Sequence, residues 1–329
     1  MAVLLSIIFG FVPMFLFAYI IYWLDRYEKE PKILLGAAFM WGAVFASAAA
    51  FLVNTLLGMG VYLFTNSEAA TNLATGSFIA PIIEETLKGI AVLIIFLFFR
   101  REFDSTLDGI VYAAVTALGF AATENAYYIF SYGYQESGYA GLIWLVIVRV
   151  FLVGWQHPFY TSFIGIGLAV TRLNRNTVVR LAAPFAGWIV AVVLHSVHNT
   201  IANLFSGLPG LVFGTFYDWT GWFFMLLFIV WITRREQQLM IKYLREEVGA
   251  ENMTAAQYKT ACSAWSQTAA RLGALFSGKF RATNQFYQVC GELAHKKQQL
   301  AAVGDEAGNM QMVERLRLDL ARLSPAAES

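Results

Sequence analysis

The stretch PIIEETLKGIAVLIIFLFF, residues 81–99, decides how the chain is read. From Gly89 onward it is an unbroken apolar run of membrane-spanning type, yet its head carries Glu84, Glu85 and Lys88. Charge inside hydrocarbon is costly unless it pairs or lines a wet cavity, so these side chains need partners elsewhere in the sequence.

The composition fits a membrane setting. Of 329 residues, 58% are hydrophobic, 16% aromatic and 14% charged, with a mean hydropathy of +0.57. Soluble domains carry roughly half apolar and about a quarter charged residues. A net charge of +1 offers no basic excess to neutralise phosphates, which excludes nucleic acid as a partner. Cys262 and Cys290 sit in a polar tail without the spacing of a disulfide framework or a zinc knuckle. The N-terminal run lacks a basic leader and a small-residue cleavage site, so it reads as a retained first helix.

Apolar runs of about 20 residues span a bilayer as helices. Seven are expected, at 3–24, 34–64, 77–99, 106–132, 141–171, 180–204 and 211–233. The fold class is therefore all-α, a polytopic helical membrane bundle of about seven spans, and Pro158 is expected to kink or break the fifth. Linkers 25–33, 100–105 and 172–180 hold three, two and three Lys plus Arg, whereas 65–76, 133–140 and 205–210 hold none. That alternation places the N-terminus outside and the C-terminus in the cytoplasm. Two regions follow: a transmembrane domain over 1–233 and a cytoplasmic tail over 234–329, whose apolar residues recur at helical spacing. His295, beside Lys296 and Lys297, is expected on a solvated surface of that tail.

Four consecutive spans carry ionisable side chains. They are Glu84, Glu85 and Lys88 in the third, Glu124 with Asn125 in the fourth, Arg149 and His157 in the fifth, and His195 and His198 with Asn199 in the sixth. At about 1.5 Å rise per residue, Glu85, His157 and His195 lie roughly 21 Å and Glu124 roughly 27 Å from the cytoplasmic ends of their spans. Four segments thus bring Glu, Glu, His and His to nearly one level. Each could be structural by itself: a buried ion pair at Glu84–Lys88, an interhelical clamp at Glu124–Asn125, a satisfied backbone at His157. Their common depth argues for a site. Glu84 and Lys88 stand at i,i+4 and share a face, which leaves Glu85 as the favoured base. His195 and Asn199 share another face. Arg149 reads as a counter-charge or an interface anchor, and His198 as structural.

Such a cluster suits hydrolysis. A carboxylate deprotonates a water while a His or Asn donates to the developing oxyanion. The same residue types also suit zinc, with Glu124, His157 and His195 as ligands if a metal takes part. No Ser/His/Asp or Cys/His arrangement is present. A proton-coupled transporter with a Glu/His relay is the alternative, and no internal repeat of the kind transporters carry is visible. A scaffold or receptor with the tail as binding module is a third reading.

At these residues the sequence resembles the PrsW family of intramembrane proteases, which looks related to the CAAX prenyl endopeptidase and bacteriocin-processing protease clan. The family's E-E-x-x-K motif is Glu84-Glu85-Thr86-Leu87-Lys88, and its F-x-x-x-E-N motif is Phe120 to Asn125. Its third motif appears as Gln156-His157-Pro158, where Gly-His-Ala is usual. Its fourth is Leu194-His195-Ser196-Val197-His198-Asn199, with Asn where Asp is frequent. The resemblance covers about 75–205. It implies peptide-bond hydrolysis of a membrane-anchored protein substrate within the lipid bilayer. Glu84, Glu85, Glu124, His157, His195 and Asn199 would be catalytic, supported by Lys88 and Asn125. No cofactor is implied with certainty; zinc is an option.

Overall fold

The apolar runs become helices and the polar stretches between them become linkers in a computed structural model that describes residues 1–205, 207–305 and 308–327. The tail expected over 234–329 includes positions 306, 307, 328 and 329, which lie outside the described residues. The helices are α1 (Ala2–Leu24), α2 (Lys32–Met40), α3 (Ser47–Thr65), α4 (Glu68–Ala74), α5 (Ala80–Phe98), α6 (Thr106–Tyr128) and α7 (Gln135–Val146). They continue with α8 (Gln156–Leu173), α9 (Thr177–Leu204), α10 (Leu208–Gly249), α11 (Ala255–Ala261), α12 (Ala264–Phe276), α13 (Phe280–Val303) and α14 (Asn309–Ala327). The described residues contain no strand.

Five helical runs are long and apolar enough to cross a membrane: Ala2–Leu24, Lys32–Thr65, Thr106–Leu173, Thr177–Leu204 and Leu208–Gly249. The count differs from seven for two physical reasons. The runs expected at 106–132 and 141–171 fall within one stretch of 68 residues, and α5 carries three ionisable side chains. Large side chains face outward where lipid would replace water, among them Phe64 at 93% and Phe216 at 73% exposure.

The centre is α6, capped by a box in which Ser105 and Asp108 satisfy each other's backbone N–H groups. Every residue from Leu107 to Ala122 is buried, against α1, α2, α5 and α8. Small residues permit that density, as in other membrane helix pairs. A Cβ on Gly165 of α8 would lie 1.9 Å from the Gly109 carbonyl oxygen, so the two backbones touch. The expected break in the fifth run occurs at Val153–Trp155, just ahead of Pro158. Pro158 then occupies the first turn of α8, where a missing N–H costs nothing.

The tail is joined to the bundle through α10, a continuous helix of 42 residues. Helix α13 docks on the linkers. Gln288 pairs with both backbone groups of Lys29, at 2.8 and 3.1 Å, and Arg175 donates to the Ala301 carbonyl. Tyr27 joins Met240, Leu244, Phe286, Leu293 and Leu320 in a second apolar core. The three basic linkers therefore lie on the tail's side of the bundle. The solvated position expected of His295 is overturned: it is 2% exposed, facing Glu28 and Asp104. Its lysine neighbours are buried as well, Lys296 on Asp104 and Lys297 on Glu247.

Gly165→Ala is expected to destabilise the bundle by about 1–3 kcal/mol or more through overpacking. Gly36→Ala, with open space around it, is expected to be neutral; thermal unfolding of both variants in detergent checks the contrast.

Candidate active site

Helix α5 begins with Ala80 and Pro81 after a wide π-helical turn at Thr75–Ile79. Pro at the start of a helix forgoes only an N–H that would be unsatisfied there. Over the next turns α5 presents Glu84, Glu85 and Lys88 inward, all buried. His157 opens α8 and His195 lies deep in α9, both also buried.

Lys88 is the hub. Its ammonium donates to Glu85 Oε1 at 2.6 Å, lies 3.2 Å from His157 Nδ1 and sits 4.5 Å above the Phe120 ring. Glu84 Oε2 is farther, at 3.9 Å. The expectation that the i,i+4 partner is the closer one is therefore reversed, because α8 and α9 decide which carboxylate Lys88 meets. Glu85 also accepts from Thr161 Oγ1 at 2.8 Å and faces His195 Nδ1 at 3.0 Å. Glu84 keeps only a long contact from Asn54, 3.5 Å to Oε1. Its Oε2 is buried without a hydrogen-bond partner.

The remaining motif residues converge on the same place. His157 Nε2 is 2.8 Å from Glu124 Oε2, which also accepts from Arg149 at 2.6 Å. Arg149 donates to Asn125 Oδ1 at 2.9 Å and stacks on Tyr128, acting as the expected counter-charge. The His157 and His195 rings stand 5.2 Å apart at 84°. Asn199 is directed elsewhere: its amide donates to the Gly76 carbonyl at 2.8 Å, tying α9 to the turn that launches α5.

Three carboxylates, Glu84, Glu85 and Glu124, thus meet two permanent cations, Lys88 and Arg149. Donor atoms of Glu84, His157 and His195 lie within 4.8 Å of one another. The His195 Nδ1–Glu85 contact leaves Nε2 facing Glu84 Oε2 at 3.9 Å, the carboxylate–histidine support typical of metal ligands. Glu84 and His195 therefore offer an oxygen and a nitrogen that suit a divalent metal, and His157 joins them by exchanging its Glu124 contact at Nε2. A cavity of about 800 Å³ between α3 and α6 reaches Glu84 and Glu124, walled by Ser47, Asn54, Thr123 and Tyr127.

Some site residues escaped the sequence reading. Asp218 of α10 is fully buried, accepts from Tyr160 at 2.5 Å and faces His198 at 3.0 Å. Tyr160 in turn stacks on His195, with centroids 5.2 Å apart at 25°. The rule that singled out Glu124, an ionisable residue inside an apolar run, applies equally to Asp218 in the seventh. Thr161 gives no such signal beyond its i,i+4 spacing from His157.

Comparison with known proteins identifies the family. Residues 30–232 match the family described as PrsW family intramembrane metalloprotease. The chain is 30% identical over 178 residues to Protease PrsW of Clostridioides difficile (strain 630), covering 54% of this chain and 70% of that protein. It is 26% identical over 199 residues to Protease PrsW of Bacillus subtilis (strain 168), covering 57% and 81%. No solved structure matches the chain.

Lys88→Met leaves Glu85 buried without its ammonium and is expected to cost about 3–5 kcal/mol of stability. Adding Glu85→Gln is expected to recover part of that loss, and a double-mutant cycle on unfolding temperatures reads the coupling.

Proposed function

Since the chain belongs to the PrsW family of intramembrane metalloproteases, we propose that Glu84, His157 and His195 hold its catalytic metal, zinc by donor type, with Glu124 as the proton-transfer group. The chain is a membrane-embedded protease, and the family assignment gives the transporter alternative no support. The observation that carries the site assignment is the buried Glu84 Oε2, which lacks a hydrogen-bond partner and lies beside two imidazoles.

A metal in that place supplies Lewis acidity toward water and the scissile carbonyl. The chain's own groups do the rest. Glu124 borders the cavity, held by Arg149, which Asn125 in turn anchors, and takes a proton from the attacking water. It returns that proton to the leaving nitrogen as the peptide bond breaks. Glu85 is enclosed by Lys88, Thr161 and His195, so it acts as a positioning group that orients His195. This departs from the sequence expectation, which made Glu85 the favoured base and placed Glu124 in the ligand set. Arg149 engages the Glu124 oxygen that faces His157, which favours Glu84 as the carboxylate ligand. Asn199 supports the arrangement from the Gly76 side.

The substrate is a protein, and we assign it to the membrane-anchored class, entering the cavity between α3 and α6 from the lipid phase. The basic linkers and the tail would face the cytoplasm under the positive-inside rule, with the N-terminus outside. Residues 1–233 would form the protease domain and 234–329 its cytoplasmic appendage.

The test pairs cleavage of a membrane-anchored substrate by reconstituted protein with metal analysis. Glu84→Gln is expected to lose both activity and the site's zinc. Glu124→Gln is expected to lose about 10²–10⁴-fold in rate while keeping zinc. An active Glu84→Gln, or zinc retained by a His157→Ala/His195→Ala variant at this site, contradicts the assignment.

A further inference from the structure

Away from the protease centre, a second set of buried ionisable groups lies where α13 meets the linkers. His295 Nδ1 is 2.6 Å from Glu28 Oε2 and 3.5 Å from Asp104 Oδ1. Lys296 occupies the other Asp104 oxygen, Oδ2, at 2.6 Å, which leaves Oδ1 turned toward the imidazole. The three donors come from separate segments, and donor atoms of all three lie within 4.8 Å of one another.

Tetrahedral zinc with bonds of about 2.0–2.1 Å separates its ligands by about 3.3 Å. The Asp104 oxygen already stands near that distance from Nδ1. The Glu28 oxygen has to back away by about 0.7 Å, within the reach of a side-chain rotation.

A second observation points to a missing cation. Glu236 of α10 is 4% exposed, its Oε2 has no hydrogen-bond partner, and it stands in the field of His295, Asp25, Asp108 and Asp104. Acidic groups outnumber basic ones here: Asp25, Glu28, Glu30, Asp104, Asp108, Glu236 and Glu292 face Lys29, Arg271, Lys296 and His295.

We propose that Glu28, Asp104 and His295 form a second divalent-metal site, structural in role and suited to zinc, which staples α13 to the linkers at 25–31 and 99–105. The metal takes the place of the proton between His295 Nδ1 and Glu28, and that proton leaves to solvent, so binding weakens as pH falls. The fused linkers hold the base of α6, since Asp108 caps α6 and accepts from the Asp104 backbone N–H at 2.8 Å. The staple therefore joins the tail to the helix that carries Glu124.

Zinc bound per chain is measured on full-length protein in detergent after zinc loading and removal of excess. In the His157→Ala/His195→Ala background, which empties the protease centre, the chain is expected to retain about one equivalent. Adding Asp104→Asn and His295→Gln is expected to abolish it. A readout that does not depend on those variants is the buried thiol of Cys290, on the same helix. Its labelling by a thiol reagent in the otherwise unaltered His157→Ala/His195→Ala protein is expected to slow about tenfold or more when zinc is added and to recover with chelator. No zinc in that background, together with labelling indifferent to zinc, leaves the cluster as an ion pair and overturns the proposal. Wild-type protein that binds zinc only through Asp104 and His295 would uphold this site while contradicting the catalytic one.

Discussion

One buried ammonium organises the membrane half of this protein. Lys88 has no exposed surface, so its charge must be met by protein groups, and those groups come from different helices. Glu85 meets it directly, His157 brings in α8, and Glu85 then recruits Thr161 from α8 and His195 from α9. The cost of an unpaired charge in a low-dielectric interior thus becomes a constraint on helix packing. Once Lys88 and Glu85 are satisfied by each other, Glu84 is left at the rim with an oxygen that nothing in the chain fills. The proposed metal site follows from which carboxylate the lysine does not take.

The scaffold makes this arrangement rigid. Gly109 and Gly165 bring α6 and α8 to backbone contact, which fixes the height of His157 against Glu124. The break at Val153–Trp155 lets His157 project from the first turn of a fresh helix. Asp218, fully buried in α10, reaches the same centre through Tyr160, whose ring lies flat on His195. Preorganisation of this kind suits a hydrolase, because little reorganisation remains when charge develops.

Much of this was legible in the sequence, for a physical reason: ionisable residues are so costly in apolar runs that each one is informative. Glu84, Glu85, Glu124, His157 and His195 stand out in that way, and the structure brings them together. What was not legible depended on side-chain direction. Spacing alone made Glu84 the partner of Lys88, yet Thr161 and His195 pull Glu85 into that role. Asn199 shares a helical face with His195 but spends its amide on Gly76. In the tail, helical spacing of apolar residues picks out 255–276 and 308–323, which hold α11, α12 and α14, but not α13 or its docking face. Gln288, Gly291 and His295 form that face, and only the linkers they meet distinguish it from a solvated one.

The most direct measurement of the central claim is zinc K-edge X-ray absorption on zinc-loaded, proteolytically active protein carrying Asp104→Asn and His295→Gln. The account predicts a first shell of nitrogen and oxygen at about 2.0–2.1 Å with outer-shell scattering from two imidazoles. A shell without imidazole scattering, or sulfur at about 2.3 Å, would contradict it.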